Sequence, residues 1–513
     1  MRRAAAVAVL LGIPGMASAS LRLADTLVLE YRGNNENGIA SDDDYGLGLS
    51  KLYLNGQMEQ TSVSAQVDSV LFANYPDVAN PTPQQPSAYA SDARIERISL
   101  VHNFAESGTL TLGDSHVQLG RGIALSLRKV DELGTDQALR GGSVAWQADQ
   151  FSAMAFAGRT NVANLDGVTQ RFLEDPDDTL AGGSFTLHLG RADLAFHGLY
   201  LKPHTPLLAN NDDDNTVLGG TYLELPATDW LTFYAEGAVE QYQLATSKFT
   251  GTAAYASADV DLGFVSLLLE GLYLDQFQVA GSRNEVLGQA HAYNQPPTLE
   301  RLDQEVLDSQ NVRGGRMKLS RSFFEGDLVV YVSGMYRQSG PQTAAIDAVH
   351  GYGGFELTYG GGASRWNLSG GWRQETQADA TDPFKKMAHA ETDWVQAIGG
   401  GYALHFNVLH ESRQLVESGA SGANDYVRGS TLFGIDYSGF GSIMAEIGYD
   451  TFNPQLQQTF FAGIIAWDAA QWATVRAVLG SQRGGIKCIG GVCRDFPAFS
   501  GARLEASVYY DVM

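Results

Sequence analysis

The residues best placed to do chemistry are concentrated between positions 109 and 143, where glycines alternate with charged side chains. The charged residues are Asp114, Arg121, Arg128, Lys129, Asp131, Glu132, Asp136 and Arg140. The glycines expected to turn the backbone are Gly113, Gly120, Gly122 and Gly134. Glycine lets a backbone turn sharply or approach another segment closely, which a regular strand does not require. We therefore predict that residues 120–138 leave the surrounding structure and fold back onto it.

The pair Gly120 and Gly122 resembles part of a dinucleotide-binding loop. That motif needs a third glycine, a following helix and a βαβ context, and the sequence offers none of these. We therefore expect no nucleotide, and no other cofactor is indicated.

Acidic runs at 42–44, 174–178 and 210–215 are the main candidates for a metal site. Clustered carboxylates can bind Ca²⁺, but these runs lack the spaced pattern of an EF-hand loop. Solvated acidic loops are the favoured interpretation, and no metal site is predicted.

The two cysteines, Cys488 and Cys493, lie five positions apart near the C-terminus. In an oxidising compartment they could close a small loop through a disulfide, which is the preferred interpretation. A metal site would need further soft ligands nearby.

Histidines and serines are scattered along the chain, and no Gly-x-Ser-x-Gly elbow is present. Spatial pairing of such residues cannot be read from one sequence. We expect the protein not to be an enzyme and assign no catalytic residue.

The glycine-rich run resembles a family of uncharacterised outer-membrane β-barrels with a domain of unknown function, best known from Bacteroidota. The matching motifs are Leu112-Gly113-Asp114, Gly120-Arg121-Gly122-Ile123-Ala124-Leu125, Leu133-Gly134-Thr135-Asp136 and Leu139-Arg140-Gly141. Where the family tends to have an aromatic residue and an Arg-rich stretch, this chain has Ser115 and Ser126-Leu127-Arg128. The resemblance implies a barrel fold and a membrane, and no settled activity.

The elements that must position these residues are strands, because apolar and polar residues alternate. From Trp230 to Glu240, for example, Phe233, Ala235 and Val239 fall on one side and Tyr234, Glu236 and Glu240 on the other. A period of two indicates a strand with one apolar and one polar face. Helical periodicity is nowhere sustained, so the fold is predicted to be all-β.

Short turns and long polar loops alternate along the chain, as they do in transmembrane barrels with short periplasmic turns and long external loops. Asn55-Gly56 and Gly190-Arg191 are predicted turns, and 278–311 and 484–498 are predicted loops. Counting strands this way predicts a single antiparallel transmembrane barrel of about 24 strands, between 22 and 26. The tryptophans expected to form an aromatic girdle are Trp146, Trp230, Trp366, Trp372, Trp467 and Trp472.

Residues 1–19 carry an export signal: Arg2 and Arg3 precede an apolar run that ends in Ala17-Ser18-Ala19. The run is shorter than the ~18 to 20 residues that span a bilayer, so cleavage before Ser20 is predicted. Residues 20–513 would then form an integral barrel of the outer membrane of a Gram-negative cell. Its expected partners are the lipid bilayer and the barrel-insertion machinery. A net charge of −24 argues against binding nucleic acid.

A barrel of about 24 strands would leave a wide lumen unless something narrows it. We therefore expect residues 120–138 to fold into the lumen, where their charges either form a constriction that sets ion selectivity or pair with one another to pin the segment. The leading hypothesis is a porin-like channel for a hydrophilic solute or polymer. The alternative is a non-conducting scaffold that encloses or anchors a periplasmic, surface or electron-transfer protein.

Overall fold

The computed structural model describes residues 20–36, 43–74, 91–162, 165, 170–205, 214–244, 247–283, 290–301, 310–341, 344–377, 379–416, 423–489 and 492–512. Within them, 24 wall strands form one antiparallel sheet in which each strand pairs with the next along the chain. The wall strands are Ser20–Arg32, Tyr45–Met58, Thr61–Ala73, Ser91–Phe104, Gly108–Ser115, Thr135–Gln147, Phe151–Val162, Thr179–Leu189, Ala192–Lys202, Asn215–Thr228, Leu231–Leu244, Ser247–Asp261, Ser266–Asp275, Val312–Phe323, Leu328–Ser339, Ile346–Tyr359, Ser364–Gln377, Lys385–Gly399, Tyr402–Val416, Ala423–Tyr437, Gly441–Asp450, Thr459–Ala470, Ala473–Gln482 and Phe499–Val512.

The sheet closes into a barrel because its first strand pairs with its last. Leu21 lies opposite Val512 and Arg32 lies opposite Gly501, so the pairing extends along the length of both strands. In hydrocarbon each backbone group without a partner costs several kcal/mol, and closure removes the two free edges. The predicted fold class, an antiparallel transmembrane barrel of about 24 strands, is confirmed.

Each wall strand presents one face to the lumen and the other to the bilayer. In Leu231–Leu244, Glu236 and Glu240 are buried at 3% and 0% exposure, whereas Val239 on the opposite face is 52% exposed. Large apolar side chains recur on that outer face around the barrel. The alternation in the sequence therefore assigned the faces of this strand correctly.

One rim of the barrel carries the short turns and the aromatic girdle. Trp146, Trp230, Trp366, Trp467 and Trp472 lie at or beside these turns and are partly exposed. Trp372 does not belong to this rim, because it lies well inside the strand Ser364–Gln377. The predicted turn at Asn55-Gly56 is also wrong. The strand continues through these residues to Met58, and the turn is at Glu59–Gln60, where Glu59 has a positive φ.

Several connections at the long-loop rim carry secondary structure of their own. Their strands are Val117–Leu119, Leu125–Leu127, Lys129–Val130, Ala280–Arg283, Ala290–Ala292, Gly485–Ile489 and Val492–Phe496. The 3-10 turns are Asp131–Leu133 and, at the opposite rim, Phe324–Gly326. No helix in the described ranges is long and apolar enough to span a bilayer.

Candidate functional site in the barrel lumen

The glycine-rich connection between the wall strands Gly108–Ser115 and Thr135–Gln147 lies in the lumen, and we call residues 116–134 the plug segment. Its strands Val117–Leu119 and Leu125–Leu127 form a small hairpin separate from the wall. The boundaries differ from the predicted 120–138. Residues 135–138 belong to the wall, because Gln137 already pairs with Val162 of the next strand.

Sharp turns at glycines shape the plug segment. Gly113, Gly120, Gly122 and Gly134 all have positive φ. At Gly120 a Cβ atom would lie 2.2 Å from Oε1 of Glu236, and at Gly122 it would lie 2.6 Å from the carbonyl oxygen of Gln295. These distances are too short for any other residue, so the glycines bring the plug backbone against the wall and against a second loop.

An apolar core fixes the plug segment to one side of the barrel. Leu119, Ile123, Leu125 and Leu127 are at most 1% exposed. They belong to a cluster with wall residues that include Leu139, Leu180 and Leu201. Burying such a side chain contributes roughly 1.5 to 3 kcal/mol, so the cluster stabilises the inserted position strongly.

Arg121 and Arg128 anchor the plug segment to its surroundings. The backbone N–H of Arg121 donates to Oε2 of Glu236 at 2.9 Å, and its guanidinium lies 3.9 Å from the ring centroid of Tyr234. Nε of Arg128 donates to Oε1 of Gln295 at 2.5 Å. These two residues attach the plug segment to the wall and to a second loop, and they do not pair with the other predicted charges through these contacts.

Asp114 and Arg140 form a second anchor at the base of the plug segment. Nη2 of Arg140 donates to Oδ2 of Asp114 at 3.1 Å. The same carboxylate accepts the backbone N–H of Ile98 at 2.7 Å and the amide of Asn161 at 2.7 Å. Because Asp114 is 7% exposed and accepts several donors, it holds neighbouring wall strands together and does not face an open passage.

The remaining predicted charges, Lys129, Asp131, Glu132 and Asp136, face a cavity of about 520 Å³. Nζ of Lys129 lies 2.6 Å from Oδ1 of Asp131, a side chain that is 75% exposed. Burial lowers the pKa of Lys129, but the bond to Asp131 together with the charges of Asp131 and Asp136 and with Tyr53 raises the pKa overall. Nε of Arg97 donates to Oδ2 of Asp136 at 3.0 Å. These four charges therefore line the cavity, and the constriction stays a prediction.

The cavity lies between the plug segment and the seam where the first and last strands meet. The wall contributes side chains of both signs, including Glu30, Lys51, Asp68, Arg483, Arg503 and Glu505. Glu30 accepts hydrogen bonds from Nε of Arg32 and of Arg503. The seam side is thus polar and charged, whereas the opposite side of the plug segment is packed with apolar residues.

The strands Gly485–Ile489 and Val492–Phe496 pair as a hairpin, which we call the cysteine hairpin, and cover part of the cavity. Its backbone pairs Cys488 with Cys493 directly across the two strands. The side chains of both cysteines lie outside the described part of the structure, so the disulfide stays a prediction. Nη1 of Arg494 donates to the carbonyl oxygens of Leu133 and Gly134 at 2.7 and 2.9 Å, which joins the hairpin to the plug segment.

Sequence reasoning missed a second inserted element, residues 276–283 and 290–301, which we call the cross-lumen loop. Asp178, 0% exposed, connects it to the preceding loops: it accepts the hydroxyl of Tyr293 at 2.6 Å and the backbone N–H of Ser282 at 2.8 Å. Burial, followed by the nearby carboxylate of Asp178, raises the pKa of Tyr293 well above its usual value. Asp178 belongs to an acidic run interpreted above as a solvated loop, and that interpretation is wrong for this residue.

One signal in the sequence could have located the lumen contents. In the wall strand Ala192–Lys202, Leu199 and Leu201 are buried on the inner face while Phe196 and Tyr200 are exposed on the outer face. A wall strand that faces water on one side should be polar there. Apolar residues on both faces therefore mark a strand that packs against something inside the barrel.

No group of three or more His, Cys, Asp and Glu side chains in the described part of the chain is arranged to hold a metal ion. Residues 210–213 of the acidic run 210–215 lie outside the described residues, as do residues 1–19 with the predicted signal.

The sequence matches no protein-family model and no curated protein. Solved structures similar to this chain include the P pilus usher (PapC) translocation pore, with a TM-score of 0.46 and 9% identity over 96% of this chain and 100% of that chain. The siderophore receptor PirA from Pseudomonas aeruginosa has a TM-score of 0.47 and 10% identity over 96% of this chain and 80% of its own. OccAB1 from Acinetobacter baumannii has a TM-score of 0.43 and 12% identity over 74% of this chain and 95% of its own.

Proposed function

We propose that the protein is an outer-membrane channel for small hydrophilic solutes, with a path along the charged cavity between the plug segment and the barrel seam. The observation that carries the proposal is the contrast between the two sides of the plug segment. One side is packed with apolar residues, and the other borders a cavity of about 520 Å³ lined by charged side chains. Charged linings of this kind select ions and polar solutes in pores.

The size of the cavity favours a small solute over a polymer. Volumes of ~300 to 1,000 Å³ are typical of sites for small molecules. Both signs of charge are present, with Glu132 on the plug segment and Lys51 and Arg503 on the wall. Solutes that carry charge, including those with both signs, fit this lining best.

The outer face and the two rims support an outer-membrane location. Exposed apolar side chains such as Val239 suit contact with lipid, and the tryptophans at the short-turn rim suit an interface. In this orientation the short turns face the periplasm and the long loops face outside. The bilayer and the insertion machinery remain the expected partners.

The test is single-channel conductance of the folded protein in a planar bilayer. We expect the wild type to conduct in small steps. Replacement of residues 117–133 by a short Gly-Ser linker, which spares the wall strand at Thr135, should enlarge the steps severalfold. Silence of both folded proteins would overturn the channel and favour the scaffold, to be pursued by partner capture.

A charge reversal tests the path itself. Glu132→Lys changes an exposed residue of the cavity, and Glu106→Lys makes the same change at an exposed short turn. In a salt gradient, Glu132→Lys should shift the reversal potential towards anion selectivity, and Glu106→Lys should leave it unchanged. Equal potentials for the two variants would place the path elsewhere.

A further inference from the structure

A buried chain of hydrogen bonds attaches the end of the cross-lumen loop to the far wall. The loop contributes the consecutive residues Glu300 and Arg301. The wall contributes His350 from the strand Ile346–Tyr359 and His389 from the strand Lys385–Gly399. Glu300 and His350 are each 1% exposed and His389 is 5% exposed, so water does not replace these contacts easily.

The contacts form a continuous series that starts and ends on the loop. Nδ1 of His350 lies 2.9 Å from Oε2 of Glu300, and Nε2 of His350 lies 3.0 Å from Nε2 of His389. Nη1 of Arg301 lies 3.3 Å from Nδ1 of His389. Nη2 of Arg301 also donates to both carboxylate oxygens of Glu391, at 2.6 and 2.7 Å.

One assignment of protons satisfies this series when both rings are neutral. Arginine can only donate, so Nδ1 of His389 accepts and the proton of His389 is on Nε2. That N–H donates to Nε2 of His350, whose own proton is therefore on Nδ1 and donates to Glu300. Each neutral ring gives one hydrogen bond and accepts one, and no donor faces another donor.

Adding a proton to the ring of either His350 or His389 disrupts this series of hydrogen bonds. An imidazolium has two N–H donors and no acceptor. A proton on Nδ1 of His389 faces the donating Arg301. A proton on Nε2 of His350 faces the N–H of His389, and moving that hydrogen to Nδ1 of His389 again opposes Arg301. The attachment of Arg301 is thus the contact that protonation weakens.

Protonated His389 would also compete for the second partner of Arg301. Its Nδ1 lies 3.8 Å from Oε1 of Glu391, close enough for an ion pair once the ring is charged. A positive charge on the His389 ring therefore repels Arg301, and it also attracts Glu391 away from Arg301.

The other charged groups around the two rings come from every strand packed against them. Arg373 lies opposite His350 and Glu411 lies opposite His389 in the sheet pairing. Arg337, Glu375 and Lys385 complete the surroundings, and Nη1 of Arg316 donates to the backbone oxygen of Glu300 at 3.3 Å. Burial alone would raise the pKa of Glu300, but the bond to His350 together with the charges of Arg373, His350 and Arg337 lowers the pKa overall. Glu300 is thus held as a carboxylate that accepts from His350.

The cross-lumen loop in turn supports the plug segment. The backbone N–H of Ser126 donates to the oxygen of Tyr293 at 2.7 Å, and the N–H of Gln295 donates to the oxygen of Gly122 at 2.8 Å. Loosening the loop at Arg301 therefore removes support from the turn of the plug segment.

We propose that Glu300, Arg301, His350 and His389 form an acid-sensitive latch that holds the cross-lumen loop against the wall at neutral pH and releases it in mild acid, while the plug segment stays in place. This inference rests on the proposed channel function. Protonation of one ring breaks the attachment of Arg301, and the loop loses its hold on the far wall.

The experiment compares conductance between pH 7.5 and 5.5 for the wild type and three variants. We expect the ratio of large to small conductance steps of the wild type to rise by up to about tenfold per pH unit, the limit for one linked proton. Arg301→Gln should show large steps at both pH values. His389→Gln, whose amide can still donate and accept, should show small steps at both. His405→Gln removes a histidine of the adjacent strand Tyr402–Val416 that is paired with Asp393, and it should keep the wild-type response.

Hydrogen exchange of peptides from residues 276–301 provides a readout that does not depend on conduction. After correction for the intrinsic rate, exchange should rise in acid in the wild type and stay constant in His389→Gln. If the wild type shows no acid-induced exchange, the latch is wrong even when the protein conducts. If exchange responds as expected but no variant conducts, the latch stands and the channel function fails.

Discussion

At the residue scale, Gly120 decides how closely the plug segment approaches the wall. Its φ is +55°, and a Cβ atom would lie 2.2 Å from Oε1 of Glu236. We expect Gly120→Val to displace the plug segment, because it adds backbone strain of ~1 to 3 kcal/mol and a clash with a buried carboxylate. The measurement is single-channel conductance, which should rise in the variant.

Gly219→Val is the matched control for this substitution. Gly219 lies in a wall strand, and a Cβ atom there would have no neighbour within 4 Å. We expect its conductance to equal that of the wild type. Wild-type conductance in Gly120→Val as well would mean that the turn at residue 120 does not control the lumen.

At the scale of elements, the cross-lumen loop should make stability depend on pH through Glu300. The pKa of Glu300 is lowered in the folded protein from a usual value of 4.5. A carboxyl whose pKa is depressed on folding stabilises the protein above its unfolded pKa, and this stability is lost as the pH falls through the folded pKa. Glu300→Gln should therefore have a lower melting temperature than the wild type at pH 7, and the difference should shrink below about pH 4. A difference that is constant from pH 7 to pH 3 would contradict the ionised role of Glu300.

The cysteine hairpin gives a second prediction at this scale. Directly opposed residues of an antiparallel pair have Cα atoms ~4.5 to 5.5 Å apart, which a disulfide can bridge. We expect protein isolated from an oxidising compartment to resist alkylation at Cys488 and Cys493 until a reductant is added, as mass spectrometry would show. Alkylation of both thiols without reductant would exclude the bond.

At the scale of the whole molecule, the cost of placing a charge on the outer face of the barrel should depend on its depth in the bilayer. Val239 lies mid-strand and is 52% exposed, whereas Leu189, also on the outer face, is the last residue of its strand beside a short turn and is 57% exposed. An arginine at the bilayer midplane costs ~2 to 4 kcal/mol, and one near the interface costs ~0 to 1. Val239→Arg should therefore reduce folding into vesicles, measured by the mobility of unheated samples in electrophoresis, and Leu189→Arg should not. Equal folding of the two would contradict the assigned outer face.

The sequence by itself determined the barrel. Alternation within each strand and the regular exchange of short turns with long loops are local patterns, and closure follows because a bilayer leaves no partner for a free edge. The strand count of about 24 was predictable for this reason. The turn at Asn55-Gly56 was not, because pairing with the strand Thr61–Ala73 extends to Met58 and overrides the local preference of Asn-Gly.

The glycines and charges of residues 113–140 were also found from the sequence. Positions with positive φ favour glycine, and a cluster of charged residues is visible in the residue types. The division of those charges between anchoring and lining the cavity was decided by tertiary structure. Arg121 meets Glu236 across a separation of 115 residues, and no local pattern encodes which strand lies opposite a loop in a closed barrel.

The cross-lumen loop and its latch were likewise decided by tertiary structure. Glu300 and Arg301 lie in a polar connection, and His350 and His389 occupy ordinary inner-face positions of their strands. These residues become a connected series only because barrel closure and the packing of the plug segment bring the loop across the lumen to strands that follow it in the chain.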